Sequence, residues 1–271
     1  MGMQKRTIGV STNLTGLTRE NFEAYRKNGI GAVEVSVASE DYDQLDLSAA
    51  ARNARCENID TWSFHLRFMP FEVYNIALTD KTAREFAVSY SAEWIRRAGA
   101  AGFRYAVIHP SGEPIEDVDR EASMQAAMES LRALAEVAKS AGITLAVENL
   151  PRTCLAKNSS ELLRLLEADS SLRACFDTNH LLAEPTLAFM EALRDKIVTL
   201  HVSDYDFINE RHWLPGDGKV NWKALMDKLD EIGYSGVFMY ETRKTMTQNE
   251  ERFLDVADYR RNAELLENRL I

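Results

Sequence analysis

Four residues of metal-ligating types each fall at the C-terminal edge of a short apolar run. Glu148 lies in LAVENL, Asp177 in ACFDTNH, His201 in VTLHVSD and Glu241 in VFMYETR. Each run reads as a buried strand, and dehydrating an ion costs several kcal/mol unless it is partnered. Groups like these gathered at one edge would repel, keep protons bound, or share a cation. Three carboxylates and an imidazole suit a divalent ion. The carboxylates favour Mg²⁺ or Mn²⁺, and the imidazole leaves Zn²⁺, Co²⁺ and Fe²⁺ open.

Singly, each residue has a plainer explanation. Glu241 could pair with Arg243 at the surface, Asp177 could cap the turn after its strand, and His201 could be a satisfied core histidine. Glu148, preceded by apolar strand, is hardest to dismiss. The other four of the chain's five histidines, besides His201, are His65, His109, His180 and His212. Each lies at an expected strand end or in a neighbouring loop, and the intervening helical patterns carry none. Trp213, beside His212, is a candidate for a sugar-stacking wall, whereas Trp94 and Trp222 sit in helical patterns and read as core. Cys154 lies near the expected site without an evident base.

For residues so far apart in sequence to meet, the elements carrying them must converge. Candidate strands are Thr7–Ser11, Ala32–Ser36, Thr61–Leu66, Tyr105–His109, Thr144–Glu148, Arg173–Phe176, Val198–Val202 and Val237–Tyr240. Helical signals lie between them. Thr18 caps a helix ending at Gly29, a 3–4 periodicity runs from Asp117 to Lys139, Asn158 and Glu161 form a capping box, and Asn221 to Ile232 precedes Gly233. The charged tail from Asp255 to Arg269 reads as the solvated face of a last helix. Strand alternating with helix through 271 residues predicts a (β/α)8 TIM barrel, α/β in class and a single domain over 1–271. A doubly wound sheet would want a GxGxxG or GxxxxGK[ST] turn, and neither occurs. In a barrel the strands' C-terminal ends share one rim, so strands five to eight would bring Glu148, Asp177, His201 and Glu241 together.

A formal charge of −10 argues against a nucleic-acid or anionic-membrane surface. No apolar run is long enough for a membrane span. MGMQKRTIGV lacks a signal-peptide core, and Arg6 stands where myristoylation wants Ser or Thr. Cys56, Cys154 and Cys175 are scattered without a CxxC pair. The expectation is a cytoplasmic protein with reduced thiols.

The ordered pieces IHPSG, AVENLP, FDTNH, LHVSDYD and RHWLPGDGKVNW, with TNLTGL near the start and YETR near the end, resemble the xylose isomerase-like TIM barrels. That family holds sugar isomerases and epimerases and also endonuclease IV. The resemblance implies one divalent ion on Glu148, Asp177, His201 and Glu241, with Glu148 and Glu241 also moving protons. It implies that His180 and Arg211 contact substrate oxygens, with His65, His109, His212 and Trp213 around the substrate. The ketose 3-epimerase pattern commonly has a second Glu where this chain has Cys154. The endonuclease pattern's extra ligands find counterparts in His65, His109 and Glu210-Arg211-His212, but an acidic chain offers little to neutralise DNA phosphates. The implied activity is sugar isomerisation or epimerisation, by proton abstraction beside a carbonyl through a metal-stabilised enediolate. Alternatives are an inosose-type dehydratase, an abasic-site nuclease and a non-catalytic carbohydrate-binding barrel. The expected partner is a small sugar, and the resemblance leaves a homo-oligomer open.

Overall fold

The computed structural model describes residues 6–12, 16–242, 244–247 and 250–271. Positions 13–15 of TNLTGL, and Arg243 with its suggested ion pair, lie outside the described residues. The strands are β1 Ile8–Ser11, β2 Ala32–Val35, β3 Asp60–His65, β4 Tyr105–Ile108, β5 Thr144–Glu148, β6 Arg173–Asp177, β7 Ile197–His201 and β8 Phe238–Tyr240. They pair in parallel in chain order, and β8 returns to pair with β1. Val202 nearly closes the ring: its N–H donates to the Met239 carbonyl at 2.8 Å and its carbonyl accepts from Glu241 at 3.0 Å. The expected eight-stranded barrel is therefore present, with strand ends displaced by about a residue from their sequence positions, as capping ambiguity leads one to expect.

Alternation along each strand decides what faces the barrel interior. Small interior clusters form low in the barrel, one from Ala32, Met239 and Trp62 and another from Val107, Ala146 and Cys175. Trp62 Nε1 donates across the barrel to Thr199 at 3.1 Å. Space there is so tight that a Cβ on Gly9 would lie 2.5 Å from Val237 and 2.8 Å from Met239. Two residues further along the same strand faces come Glu34 above Ala32, Glu148 above Ala146, Asp177 above Cys175, His201 above Thr199 and Glu241 above Met239. The alternate strand faces, including Phe64, Leu145, Val147, Phe176 and Leu200, pack outward into the main core. Helices α1 Arg19–Lys27, α2 Leu47–Cys56, α3 Phe71–Tyr74, α4 Lys81–Ala101, α5 Arg120–Ser140, α6 Ser159–Leu166, α7 Thr186–Leu193, α8 Trp222–Glu231 and α9 Val256–Glu267 fill the connections. Among the described residues no helix is long and apolar enough to cross a membrane.

The caps explain where helices begin. Thr18 accepts from Asn21 N, Asn221 from Ala224 N and Asn158 from Glu161 N. The box expected at Asn158 is only half made, because the Glu161 carboxylate turns to Arg120 at 2.8 Å instead. Helix α9 also departs from a purely solvated face. Asp258 and Asn262 are buried; Asp258 accepts from both Arg252 terminal nitrogens at 2.7 and 2.8 Å, and Asn262 donates to the Pro215 carbonyl at 2.7 Å. A short antiparallel hairpin, β9 Lys244–Thr247 with β10 Glu250–Phe253, follows β8 and had no signal in the sequence reading.

The long loop from β7 to α8 is built around Asp204, which is fully buried. Its carboxylate accepts from Tyr205 N at 2.8 Å, Gly216 N at 2.8 Å, Val220 N at 3.1 Å and Trp222 Nε1 at 2.7 Å. Gly216 has φ +99, and a Cβ on Gly218 would lie 2.3 Å from Asp204 Oδ1. These contacts account for the PGDG spacing. Asp204→Ala leaves those four donors without their acceptor. We expect a loss of roughly 3 kcal/mol in denaturant unfolding.

Candidate active site

Glu148 is the centre of the rim. Ending β5 almost wholly out of solvent, it meets four imidazoles: His201 Nδ1 at 3.0 Å, His65 Nε2 at 3.2 Å, His109 Nε2 at 3.3 Å and His180 Nδ1 at 3.5 Å. Burial opposes its charge, but His201 and His109 more than offset that and hold the carboxyl well below the usual range. Glu241 Oε2 lies 3.4 Å from the same His201 nitrogen, and its carboxyl is also lowered, burial again being outweighed by His201 and His212. Both acids are thus ionised.

Ligand atoms of Glu148, Asp177, His201 and Glu241 all lie within 4.8 Å of one another. The structure therefore brings together the quartet picked out in the sequence. Asp177 tests whether a cation fits. Its Oδ1 accepts from Asn179 N at 2.6 Å, whereas Oδ2 is buried with no hydrogen-bond partner. His180 Nδ1 stands 3.4 Å from Oδ2 but is 2.8 Å from the Asn149 carbonyl. Burial, with Glu241 and Glu148 nearby, drives the Asp177 carboxyl well above its ordinary value. A buried oxygen without a donor, facing two further carboxylates, is what a divalent ion satisfies. The donor set fits one.

Two other groups could hold ions, His65–Glu148–His201 and His180–Glu210–His212. His180 Nε2 and Glu210 Oε1 are 2.9 Å apart. His180 is raised to about 10: burial opposes its charge, and Asp177 and Glu210 overcome that. Glu210 is lowered to about 2, with burial outweighed by His180 and Arg152. His212, on a backbone with φ +52, sets Nδ1 3.2 Å from the Glu241 carbonyl. All five histidines therefore reach the rim, and His65, His109, His180 and His212 line a cavity of about 500 Å³ together with Glu148 and Glu241.

Arg211 and Trp213 are not among the residues lining that cavity. Arg211 is tied to Asp206 at 2.7 Å and lies over the Trp213 ring, while the Trp213 backbone pairs with Asp204. The guanidinium on the cavity wall belongs instead to Arg152. Cys154 also lines it, but burial pushes its thiol up to about 12, which removes it as a nucleophile.

Sequence reasoning missed Glu34. On β2 within AVEV, it is fully buried, accepts from Ser63 Oγ at 2.7 Å, and sits 3.0 Å from His201 Nε2. This contact holds the imidazole with Nε2–H toward Glu34 and leaves Nδ1 to face Glu148 and Glu241. The signal was available, because an acid inside an all-apolar strand is the same signature as Glu148. Glu34→Gln is expected to weaken Mn²⁺ binding about 10–100-fold in calorimetric titration, with the circular dichroism spectrum retained.

A family model described as xylose isomerase-like TIM barrel matches residues 22–267. Fructoselysine 3-epimerase of Escherichia coli O157:H7 is 31% identical over 130 residues, covering 46% of this chain and 47% of that protein. An uncharacterized protein of Methanocaldococcus jannaschii is 28% identical over 189 residues, 64% of this chain and 62% of its own length. The chain spans less than two thirds of these curated relatives. Among solved structures, a D-tagatose 3-epimerase-like protein superposes with a TM-score of 0.80 at 21% identity, covering 98% of this chain and all 100% of that one. The 3-keto-D-glucoside 4-epimerase of E. coli gives 0.77 at 18% identity, covering 97% and 100%. With the model match running through nearly every strand and helix described above, the chain belongs to the xylose isomerase-like TIM barrel family.

Proposed function

We propose that this chain is a divalent-metal-dependent sugar epimerase or isomerase acting on a small ketose or related hydroxy-ketone. The observation that carries the reading is the pairing of two ionised carboxylates, Glu148 from β5 and the residue after β8, Glu241, against one imidazole nitrogen of His201. Three strands apart on the ring, they approach a substrate from different sides. The matched relative named fructoselysine 3-epimerase, and the fold neighbours named as sugar epimerases, support it.

A divalent ion in the quartet would supply Lewis-acid polarisation of the substrate carbonyl. The chain's own residues do the proton work. One of Glu148 and Glu241 takes the proton from the carbon beside the carbonyl, and the other returns it to the opposite face, inverting that centre. Return to the neighbouring carbon gives an isomer instead. Both carboxylates start ionised, as a base must. Asn149 anchors one His180 nitrogen and Glu210 the other, fixing the ring at the cavity wall. The β2 and β3 loops, with Tyr42 and Phe68, wall the site from water.

Single carboxamides separate the two roles. In deuterated water, Glu148→Gln and Glu241→Gln are each expected to lower epimerisation by about 10²–10⁴-fold. Each variant should retain deuterium wash-in to one epimer and lose it from the other. Equal turnover by either variant and wild type would remove that acid from the mechanism.

The two additional ion-capable groups raise a second reading, hydrolysis at a multi-ion site. Against it, the only Arg or Lys lining the cavity among the described residues is Arg152, already paired with Glu113 and Glu210. Elemental analysis of protein purified without chelators decides. About one Mn, Mg, Co, Zn or Fe per chain fits the epimerase, and close to three zinc ions fits the hydrolase.

A further inference from the structure

His180 reaches the rim from the turn after β6 with both ring nitrogens engaged. Nδ1 is 2.8 Å from the Asn149 carbonyl and Nε2 is 2.9 Å from Glu210 Oε1. A ring held at both ends cannot swing. Its Nδ1 edge stands 3.5 Å from Glu148 Oε1 and 3.4 Å from Asp177 Oδ2, so a shift of the ring alters the surroundings of the acid at the centre of the site. The Asn149 end is secured by β5, because Asn149 directly follows Glu148 and its side chain bonds the Asp177 backbone in both directions. The other end needs a separate anchor, since Glu210 comes from the long loop between β7 and α8 and is half-buried.

That anchor is Arg152. Its Nη1 donates to Glu210 Oε2 at 2.8 Å, which leaves Oε1 for His180, and to Asn209 Oδ1 at 3.0 Å. From its other edge Nε donates to the Glu113 oxygens at 3.0 and 3.1 Å. The guanidinium is thus rooted in the loop after β5 and clamped to the loops after β4 and β7. A planar fork with five donors can serve partners on both sides at once, which an ammonium cannot do as rigidly. Its backbone has φ +52, a conformation that a non-glycine residue keeps when its surroundings over-determine it. Two carboxylates face one guanidinium and one imidazole, so the chain Glu113–Arg152–Glu210–His180 closes on itself. What it offers the site is geometry rather than a free charge.

Resting on the epimerase reading, we propose that Arg152 is a positioning residue for the proton transfers at Glu148. It acts through Glu210, which it orients so that the His180 ring is locked beside that acid. The test begins with Arg152→Gly, which removes the guanidinium while accepting φ +52 without strain, so the circular dichroism spectrum should be retained. In the metal-free protein, the His180 Nε2–H resonance, identified by its absence in His180→Gln, should be visible by NMR and vanish into water exchange in Arg152→Gly. With D-fructose and D-tagatose in deuterated water, the Mn²⁺-loaded variant should lose about 10–100-fold in kcat with KM changed by less than about threefold. Millimolar guanidinium chloride should restore the signal and most of the rate, whereas equal sodium chloride should not. Glu210→Ala should lose as much as Arg152→Gly, and combining the two should cost nothing further. An unchanged N–H signal or an unchanged kcat in Arg152→Gly overturns the proposal, as do losses that add in the double variant. If wild type takes up no deuterium into either sugar, the epimerase reading falls instead, and the N–H signal alone decides whether Arg152 holds the ring.

Discussion

An ionised carboxylate cannot sit in a barrel's interior without equal and opposite company, and Glu148 is that carboxylate here. Four imidazoles turn a nitrogen toward it. His201 is oriented in turn by Glu34, His180 by Asn149 and Glu210, and His65 by its contact with the Leu66 carbonyl at 2.8 Å. Strand order, loop course and cavity lining all serve to bring those rings to one acid. Removing water from the acid makes each contact stronger and each missing one costlier.

The barrel makes such a gathering cheap to build. Parallel strands share one direction, so residues at equivalent positions on β5, β6, β7 and β8 arrive at one rim without any special loop. Beneath them Ala32, Ala146 and Cys175 keep the interior narrow, and Trp62 fills it. The loops then differentiate a generic rim. Asp204 fixes the stretch carrying Glu210 and His212, and Arg152 joins three loops across the mouth.

What could be read in the sequence follows the same division. Alternation and strand-end position are local signals, and they were enough for eight strands, the Glu148–Asp177–His201–Glu241 quartet and the clustering of histidines. Glu34 carries the same signal as Glu148, an acid inside an apolar strand, but on β2 rather than on the consecutive strands β5 to β8. Arg211 and Arg152 show the limit. Both are loop residues, and which one faces the cavity depends on a competition for partners: Asp206 takes the first, whereas Glu113 and Glu210 hold the second at the mouth. Spacing cannot express that choice. The α9 face went astray similarly, since Asp258 and Asn262 look solvated until Arg252 and Pro215 are placed beside them.

The seam between β7 and β8 rests on Val202, whereas neighbouring strand pairs share three or four registered positions. The residue before Val202 is His201, and the residue that donates to its carbonyl is Glu241. The weakest stave joint of the barrel is therefore flanked by two of the groups that grip the centre. Whatever both side chains hold acts as a clasp across that joint. Occupancy and closure become one equilibrium, so a ligand that engages His201 and Glu241 together tightens the whole cylinder by its own binding free energy.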